Sequence, residues 1–352
     1  MRTAPAESLS TPEWLLGALD PFLRAEAAAG RPSSRVSEWR FQSRYFSSLI
    51  YFTTAADSER PGRFLAKFPK ATRRRGYSSL PPRTPEDIEL AAHEYRAFQA
   101  LSRDWPLGET AFVEPRFFDP STGLLVFDHL EGHDVYGRAL PRRLFWRRTS
   151  PPGFTSTLRS LGRALGQYHV RTARRVSYKF DDLLGKLDQG GRQVNVALPA
   201  WAGQRESREV HVVPGIKGFE VRNARKEGNK IWLYDPGRLR DEPAEADVAR
   251  FLVSLRMLGW GTPYFPLPLP TSYLEDTFVA SYCEQRSLDE AALALLLLRE
   301  VLWNWREALE VLAARELPSL ARSLLGRLYV EPSFRRLWSD ATREGSGRRR
   351  SA

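Results

Sequence analysis

The chain has 352 residues, 42% of them hydrophobic, and 53 Lys and Arg against 42 Asp and Glu give a formal charge of +11. This apolar content excludes a disordered chain, and the length predicts two lobes or domains rather than one short module. The basic excess favours phosphates, anionic lipids or nucleic acid as partners, although an Arg-rich proteome would give the same balance without any partner.

The cysteine content and the length of the apolar runs bear on the cellular compartment of the protein. Cys283 is the only cysteine, which excludes an intrachain disulfide and a cysteine-based zinc cluster. The longest apolar run, residues 291–298, is well short of the ~20 residues of a membrane-spanning helix, and we find no signal-peptide pattern near the N-terminus. We therefore expect a cytoplasmic protein without a membrane span.

The first part of the chain reads mainly as β-structure. Apolar residues at helical spacing predict an amphipathic helix over residues 11–29, and alternating patterns then predict strands. The predicted elements that follow are strands at 36–41, 49–52 and 63–68, a helix over 85–102, and strands near 111–118 and 123–127. The first three strands are expected to form an antiparallel sheet.

The later part of the chain reads mainly as helix. Helical stripes cover residues 155–172 and 287–315, and short apolar strands are predicted at 210–213 and 231–234. The predicted division is an N-terminal extension at 1–35, an N-lobe at 36–131, a helical C-lobe at 132–343 and a disordered tail at 344–352.

Four polar residues occur in an order that indicates a functional site. Lys67 lies in the strand Phe64-Leu65-Ala66-Lys67-Phe68, and Glu94 lies in the helix that follows. Asn223 ends the segment Gly215-Ile216-Lys217-Gly218-Phe219-Glu220-Val221-Arg222-Asn223, and Asp235 follows the strand Ile231-Trp232-Leu233-Tyr234. Taken together, this order resembles the protein-kinase-like fold, in the branch of aminoglycoside phosphotransferases and choline kinases. The resemblance spans residues 36–324 and implies an α+β, bilobal fold with a small antiparallel N-lobe sheet plus one helix and a mainly helical C-lobe.

The resemblance implies a nucleotide site and a magnesium site. Lys67, held by Glu94, would pair with the phosphates of ATP or GTP, and Asn223 with Asp235 would hold Mg²⁺ through oxygen atoms. Backbone groups from Asp128 to Leu130, in the segment that matches the hinge between lobes, would bind the nucleotide base. His169 and Asp247 would be structural, with Asp247 bracing the catalytic loop.

The sequence departs from the family pattern at two places. Gly218 stands where the family has the aspartate that accepts the proton of the attacking hydroxyl, so Glu220 is the remaining candidate for a substitute base. The turn between the first two strands contains no glycine, so Ser47 and Ser48 would have to contact phosphates through hydroxyls or a looser turn. Each departure weakens the inference that this chain has the catalytic activity of the family.

Three functional hypotheses remain open. The first is a phosphotransferase that uses ATP and Mg²⁺ on a hydroxyl of a small molecule or glycan, and the second is a nucleotide-binding pseudokinase. Basic residues near the two loops favour an anionic acceptor; they are Arg222, Arg225, Lys226, Arg238 and Arg240. Aromatic residues of an acceptor pocket, or of the core, would include Trp260, Tyr264, Phe265 and Tyr273.

The third hypothesis is an anion-binding module for nucleic acid or a membrane surface. It rests on arginine clusters, and no specific nucleic-acid motif accompanies them. The clusters are Arg73 to Arg75, Arg142 with Arg143, Arg147 with Arg148, and Arg348 to Arg350.

Overall fold

The structure, a computed structural model, divides into two compact units. It describes residues 11–30, 35–44, 46–55, 61–71, 79–105, 108–135, 153–204, 208–258, 271–315 and 317–346. One unit comprises Met1–Gln99 with Val113–Glu131, and the other comprises Ala100–Phe112 with Gly132–Ala352. All four arginine clusters lie outside the described residues.

The first unit is built on one antiparallel sheet with two helices. Its strands run in the order β1-β2-β3-β6-β5. The elements are α1 (Glu13–Ala28), β1 (Arg35–Ser43), β2 (Ser47–Ala55), β3 (Gly62–Pro69), α2 (Pro85–Asp104), β5 (Phe117–Asp119) and β6 (Leu124–Asp128). The predicted antiparallel order of the first three strands is confirmed.

Helix α1 covers one face of this sheet. Strand alternation places Phe64, Ala66 and Phe68 on that face, where they form a buried cluster with Leu19 and Phe22 of α1. The ring of Phe22 lies 5.1 Å from that of Phe64, edge to face. The helix is therefore part of the core of this unit, and Leu65 and Lys67 are left to the opposite face.

The second unit combines helices with two small sheets of order β4-β11-β10-β7 and β12-β9-β8. The strands are β4 (Thr110–Phe112), β7 (His133–Asp134), β8 (Arg174–Tyr178), β9 (Arg208–Ile216), β10 (Ala224–Glu227), β11 (Lys230–Leu233) and β12 (Leu239–Pro243). The helices are α3 (Phe154–Thr172), α4 (Asp181–Gln193), α5 (Glu245–Arg256), α6 (Ser272–Cys283), α7 (Glu290–Ala313), α8 (Ser319–Leu325) and α9 (Glu331–Gly345).

Two glycines let helices α3 and α6 approach closely. A Cβ atom at Gly162 would lie 2.5 Å from the Phe278 carbonyl oxygen, and one at Gly166 would lie 3.0 Å from that of Tyr282. Only glycine permits this backbone contact. The rings of Phe251 and Phe278 stack beside it at 4.1 Å, which extends the core to α5.

Two predictions differ from the structure. The single strand expected near 111–118 is wrong: β4 pairs in parallel with β11 in the second unit, whereas β5 joins the sheet of the first. Pro115 lies between them, and a proline cannot donate to a strand ladder. The tail predicted to be disordered from residue 344 is helical to Gly345, and residues 347–352 lie outside the description. No described helix has the length and apolar character needed to cross a membrane.

Candidate active site

Lys67 and Glu94 form a buried ion pair in the first unit. The Lys67 Nζ atom lies 2.5 Å from Glu94 Oε1, and both residues are buried. Lys67 pairs across the sheet with Leu49 and Leu125, so it lies on the face that α1 does not cover. The pair predicted from the sequence is therefore confirmed as a contact, and burial strengthens it because solvent screens it little.

The start of α2 is fixed by a reciprocal cap. The Asp87 backbone N–H donates to Thr84 Oγ1 at 3.3 Å, and the Thr84 N–H donates to the Asp87 carboxylate at 3.2 Å. Asp87 also accepts from the Ala71 N–H at 2.7 Å, just after β3. This capping box ties the helix to the strand that carries Lys67, which sets the position of Glu94 two turns later.

The turn between β1 and β2 separates the two predicted phosphate-binding serines. Ser47 precedes Leu49 by two residues and shares the Lys67 face, whereas Ser48 pairs with Phe68 on the face covered by α1. Ser48 is fully buried, and its Oγ has no hydrogen-bond partner among the described residues. A direct phosphate contact by the Ser48 hydroxyl is therefore contradicted, and Ser47 alone keeps the predicted orientation.

Lys70 supports this turn in the absence of glycine. Its Nζ donates to the Arg44 carbonyl and lies 3.3 Å from Ser43 Oγ, and its backbone N–H donates to the Phe46 carbonyl at 2.8 Å. Lys70 is buried. A buried ammonium needs such acceptors, so the turn and the lysine stabilise each other. No local sequence pattern marks Lys70 for this role.

The end of β6 carries the predicted base-binding segment. The His129 N–H donates to the Arg63 carbonyl at 2.9 Å, and the Asp128 carboxylate accepts from Arg116 at 2.9 Å. Arg116 also donates to Glu26 of α1 at 2.7 Å. The Asp128 carboxylate is thus engaged with Arg116, and the predicted role is left to the backbone groups from Asp128 to Leu130.

Gly218, in the second unit, packs directly on the loop that carries Asp235. A Cβ atom at Gly218 would lie 1.7 Å from the Asp235 carbonyl oxygen and 3.1 Å from the Pro236 carbonyl carbon. The Gly218 N–H donates to the Pro236 carbonyl at 3.0 Å. The position where the family carries its aspartate therefore has no room for any side chain in this backbone arrangement.

Asn223 and Asp235 are brought together around this contact. Asn223 Nδ2 donates to the Gly218 carbonyl at 2.9 Å, and the Tyr234 N–H donates to the Asn223 carbonyl at 3.0 Å. Asp235 has a φ of 61°, an uncommon left-handed conformation that marks a constrained site. Because Asn223 Nδ2 donates to the Gly218 carbonyl, the side-chain atom of Asn223 that can bind a cation is Oδ1.

This donor set fits magnesium better than zinc. An amide oxygen and a carboxylate are hard ligands, and Mg²⁺ usually keeps several waters beside one or two protein groups. Within the described residues, no group of three or more His, Cys, Asp or Glu could hold a metal ion. A site completed by water and phosphate oxygens is what Asn223 and Asp235 can form.

Glu220 is held by a neighbouring cation. Its carboxylate forms an ion pair with Arg222 Nε, and the Glu220 side chain is only 14% exposed. The Glu220 charge, with further contributions from Glu307 and Asp235, raises the pKa of the Arg222 guanidinium despite its desolvation. A proton acceptor engaged in this way would first have to leave its arginine, which makes Glu220 a poor substitute base.

A buried network holds the backbone of Ile216, two residues before Gly218. Asp247 is fully buried and accepts from the Ile216 N–H at 2.9 Å, and His169 Nε2 lies 3.2 Å from its Oδ2. Arg250 binds Asp247 at 2.6 Å and donates to the Ile216 carbonyl at 2.9 Å. Arg250 was missed by the sequence analysis, although its place three residues after Asp247, on the same helical face, is a usable signal.

The structure describes only some of the residues predicted for the basic cluster and for the acceptor pocket. Arg222 binds Glu220, and Arg225 donates to the Gly132 carbonyl, so two of the five predicted cations serve internal partners. Trp260, Tyr264 and Phe265 lie outside the described residues. The structure adds Trp303 of α7, which is 47% exposed and has Lys217 Nζ 5.3 Å from its ring centroid, next to Gly218.

Comparisons with known proteins place the fold. No protein-family model matches the sequence, and no curated protein matches it. Among solved structures, 84 chains match. The chain has the predicted bilobal protein-kinase-like fold of the choline kinase and aminoglycoside phosphotransferase type, with a β-rich N-terminal part and a mostly helical C-terminal part.

Three solved structures illustrate the likeness. A choline/ethanolamine kinase family protein from Mesorhizobium loti is 14% identical, covers 93% of this chain and 99% of its own, and has a TM-score of 0.50. An amicoumacin kinase in complex with AMP-PNP, Ca²⁺ and Ami is 14% identical over 91% of this chain and 95% of its own, with a TM-score of 0.52. A glucosamine kinase in complex with glucosamine, ADP and inorganic phosphate is 16% identical over 92% and 85%, with a TM-score of 0.50.

Proposed function

We propose that this chain is a phosphotransferase of the small-molecule kinase type, which uses ATP or GTP with Mg²⁺ and acts on a hydroxyl of a small molecule or glycan in the cytoplasm. The observation that carries the proposal is the buried Lys67–Glu94 pair, with Nζ and Oε1 2.5 Å apart. A lysine anchored by a carboxylate in a sheet of this fold has a ready use as a phosphate-binding point charge.

Each group has a separate task in this proposal. Lys67 binds the nucleotide phosphates, and the Ser47 hydroxyl, on the same face, contributes a hydrogen bond to them. Backbone groups from Asp128 to Leu130 bind the base. Asn223 Oδ1 and the Asp235 carboxylate hold Mg²⁺, which neutralises charge on the phosphate oxygens when bound. Two of the similar structures were solved with AMP-PNP and Ca²⁺ or with ADP and inorganic phosphate, which supports testing these ligands first.

Transfer would proceed without an aspartate base. Phosphoryl transfer depends mainly on positioning and charge stabilisation, because its transition state is loose. General-base help typically contributes about 10²–10⁴-fold, so its loss slows a kinase without abolishing the reaction. We therefore expect a low turnover rate, with the hydroxyl proton passing to phosphate oxygen or water.

A second candidate is nucleotide binding without turnover. The backbone of Gly218 against Asp235 favours it, because no acid or base can stand at position 218. Glu220 is engaged with Arg222, so no described carboxylate replaces it within the loop. In that case the chain would be a pseudokinase whose nucleotide-bound state serves as a switch or scaffold.

Binding and turnover can be measured on the same protein. The wild type is titrated with ATP, with and without Mg²⁺, in a thermal-shift assay, and ATP consumption is followed over hours against candidate amino alcohols and sugars. Asp235→Ala tests the metal site, and Asp241→Ala, an exposed residue paired with Arg174, is the matched control.

The outcomes distinguish the candidates. Mg²⁺-dependent stabilisation with ATP consumption that Asp235→Ala abolishes and Asp241→Ala retains supports the phosphotransferase. Stabilisation without consumption overturns the enzyme and supports the second candidate. No stabilisation by any nucleotide at millimolar concentration overturns both.

A further inference from the structure

Arg116 joins helix α1, strand β3 and the end of β6 in the first unit. Its Nη2 donates to Glu26 Oε2 at 2.7 Å, and its Nη1 donates to Asp128 Oδ1 at 2.9 Å. Its Cζ atom lies 5.2 Å from the ring centroid of Phe64. The Arg116 backbone N–H donates to the Val126 carbonyl at 2.8 Å, which places the residue beside β6. One guanidinium therefore contacts the helix, the sheet and the first residue of the predicted base-binding segment.

The Asp128 side chain lies on the α1 side of the sheet. Asp128 pairs across the ladder with Phe64, whose ring packs on Phe22 of α1. Cross-strand partners share a face, and Lys67 alternates with Phe64 to the other one. The Asp128 carboxylate, which is 66% exposed, is thus held by Arg116 from the side opposite Lys67.

The Lys67 side of the same segment borders a cavity of about 290 Å³. Its lining includes His129, Tyr51 and Arg63. Alternation in β3 groups Arg63 with Lys67, and Tyr51 pairs with Leu65, so both side chains belong to the Lys67 face. The segment therefore has space for a ligand on one side and an arginine anchor on the other.

Glu26 of α1 fixes the plane of the Arg116 guanidinium. Arg116 Nε lies 3.3 Å from Glu26 Oε1, so two N–H groups donate to one carboxylate. The Glu26 side chain is 7% exposed and that of Arg116 is 27% exposed. Burial tends to lower the pKa of Arg116, but the hydrogen bonds to Glu26 and Asp128 raise it above the ordinary value. Such a two-point contact sets an orientation, which leaves Nη1 directed at Asp128.

We propose that Arg116 is a positioning residue for the nucleotide base. By holding Asp128 it fixes the backbone groups from Asp128 to Leu130 in the orientation that binds the base, and Glu26 in turn orients Arg116. Binding groups that are already ordered lose less freedom when the ligand arrives, which favours affinity. The inference rests on the proposed function, because it concerns the same nucleotide site. It also gives α1, which precedes the span of the kinase-like resemblance, a part in base recognition.

A comparison of ATP with inorganic tripolyphosphate tests this role. Both ligands present phosphates and only ATP presents a base, so the ratio of their dissociation constants isolates base recognition. Each is titrated by calorimetry into the full chain with Mg²⁺, and GTP is titrated in the same way. Arg116→Ala should raise the Kd of the preferred nucleotide about fivefold, as expected for one charge-assisted hydrogen bond, and leave the Kd of tripolyphosphate unchanged.

Further variants separate positioning from folding. Asp128→Ala leaves the Glu26–Arg116 pair intact, so it should weaken nucleotide binding like Arg116→Ala without lowering the unfolding temperature, and the double variant should lose no more. Arg116→Lys keeps the charge without the planar fork, so it should restore only part of the affinity. Arg24→Ala removes an exposed arginine of α1 that pairs with Asp20, and this matched control should bind both ligands like the wild type.

Three results would overturn the inference while leaving phosphate binding, and with it the proposed function, in place. They are an equal loss of affinity for nucleotide and tripolyphosphate in the Arg116 and Asp128 variants, unchanged nucleotide binding in Asp128→Ala, or equal affinity of the wild type for both ligands. The first result would identify a structural role only. A wild type that binds neither ligand would overturn the proposed function together with this inference.

Discussion

Both units of this protein hold a buried carboxylate beside a cation, and the two pairs differ in what they fix. Glu94 holds Lys67 on the sheet face that α1 does not cover, with the two charged groups 2.5 Å apart and both buried. Asp247 holds Arg250 at 2.6 Å, and each of the two groups also bonds the backbone of Ile216. The first pair joins a strand to a helix and is the one to which we assign a ligand, whereas the second pair shapes a loop.

The loop shaped by the second pair shows why matching residues do not ensure matching chemistry. The Gly218 carbonyl accepts a hydrogen bond from Asn223 Nδ2, which leaves Oδ1 for a cation, and the same glycine leaves no space for a base. Binding groups and a proton acceptor are therefore separable in this fold. Variants in each unit can test whether the two pairs differ as described.

Among the variants considered, Asp247→Asn is expected to lower the free energy of unfolding the most. The change leaves Arg250 and the Ile216 N–H without their buried carboxylate, and breaking such a pair costs about 3–5 kcal/mol. Urea denaturation measures the loss in free energy of unfolding. Asp241→Asn, whose partner Arg174 is largely exposed, should be near neutral, and equal losses in both variants would contradict the bracing role.

The next largest effect is expected for Gly218→Ala. The new Cβ would overlap the Asp235 carbonyl oxygen, so the loops must separate at a cost of about 3 kcal/mol. Gly185→Ala, in α4 with open space around it, should be neutral or slightly stabilising. The same logic predicts that Gly218→Asp does not raise ATP consumption; a large gain in turnover would show that the loops open readily.

A smaller effect is expected for the Lys67–Glu94 pair. In a double-mutant cycle with Lys67→Met and Glu94→Gln, the coupling should be about 1–3 kcal/mol, because the pair is buried. The exposed pair Arg63–Glu131, at 3.4 Å, should show almost no coupling. Lys67→Met should also weaken the ATP-dependent thermal shift, whereas Asp247→Asn should weaken folding itself. A coupling energy for Lys67–Glu94 no larger than that for Arg63–Glu131 would contradict the expected difference between the buried and the exposed pair.

The smallest effect concerns acid stability in the second unit. Burial tends to raise the pKa of Glu242, but Arg299 and Arg250 overcome it and hold the pKa below the ordinary value of 4.5. The carboxylate therefore stabilises the fold above about pH 4.5, and this contribution is lost as the pH falls through the lowered pKa.

Glu242→Gln should accordingly reduce stability at neutral pH, and its difference from the wild type should shrink between pH 4.5 and more acidic conditions. Thermal unfolding at several pH values measures this. Glu131→Gln, with a side chain that is 73% exposed, controls for the loss of one negative charge. A difference that stays constant with pH would show that Glu242 acts through packing rather than charge.

Much of the fold could be predicted because its signals are local. Alternation in 63–68 placed Lys67 opposite the apolar core, and helical spacing placed Glu94 in the next element. The strand expected at 111–118 failed because Pro115 breaks the ladder and the two halves pair with different sheets. Lys70 was missed because its partners are groups far along the chain, which no local pattern shows. Arg250 was missed although Asp247 lies only three residues before it in the same helix.

The order of Lys67, Glu94, Asn223 and Asp235, and the absence of an aspartate at position 218, can be read directly from the chain. The folded protein is needed to see that Gly218 has no room for a side chain, that Glu220 is held by Arg222, and that Ser48 lies on the face opposite Lys67. Residue order is written along the chain, whereas free space and ion pairing depend on which backbone segments pack together. Those contacts join residues up to tens of positions apart, and they are set by the burial of the whole core.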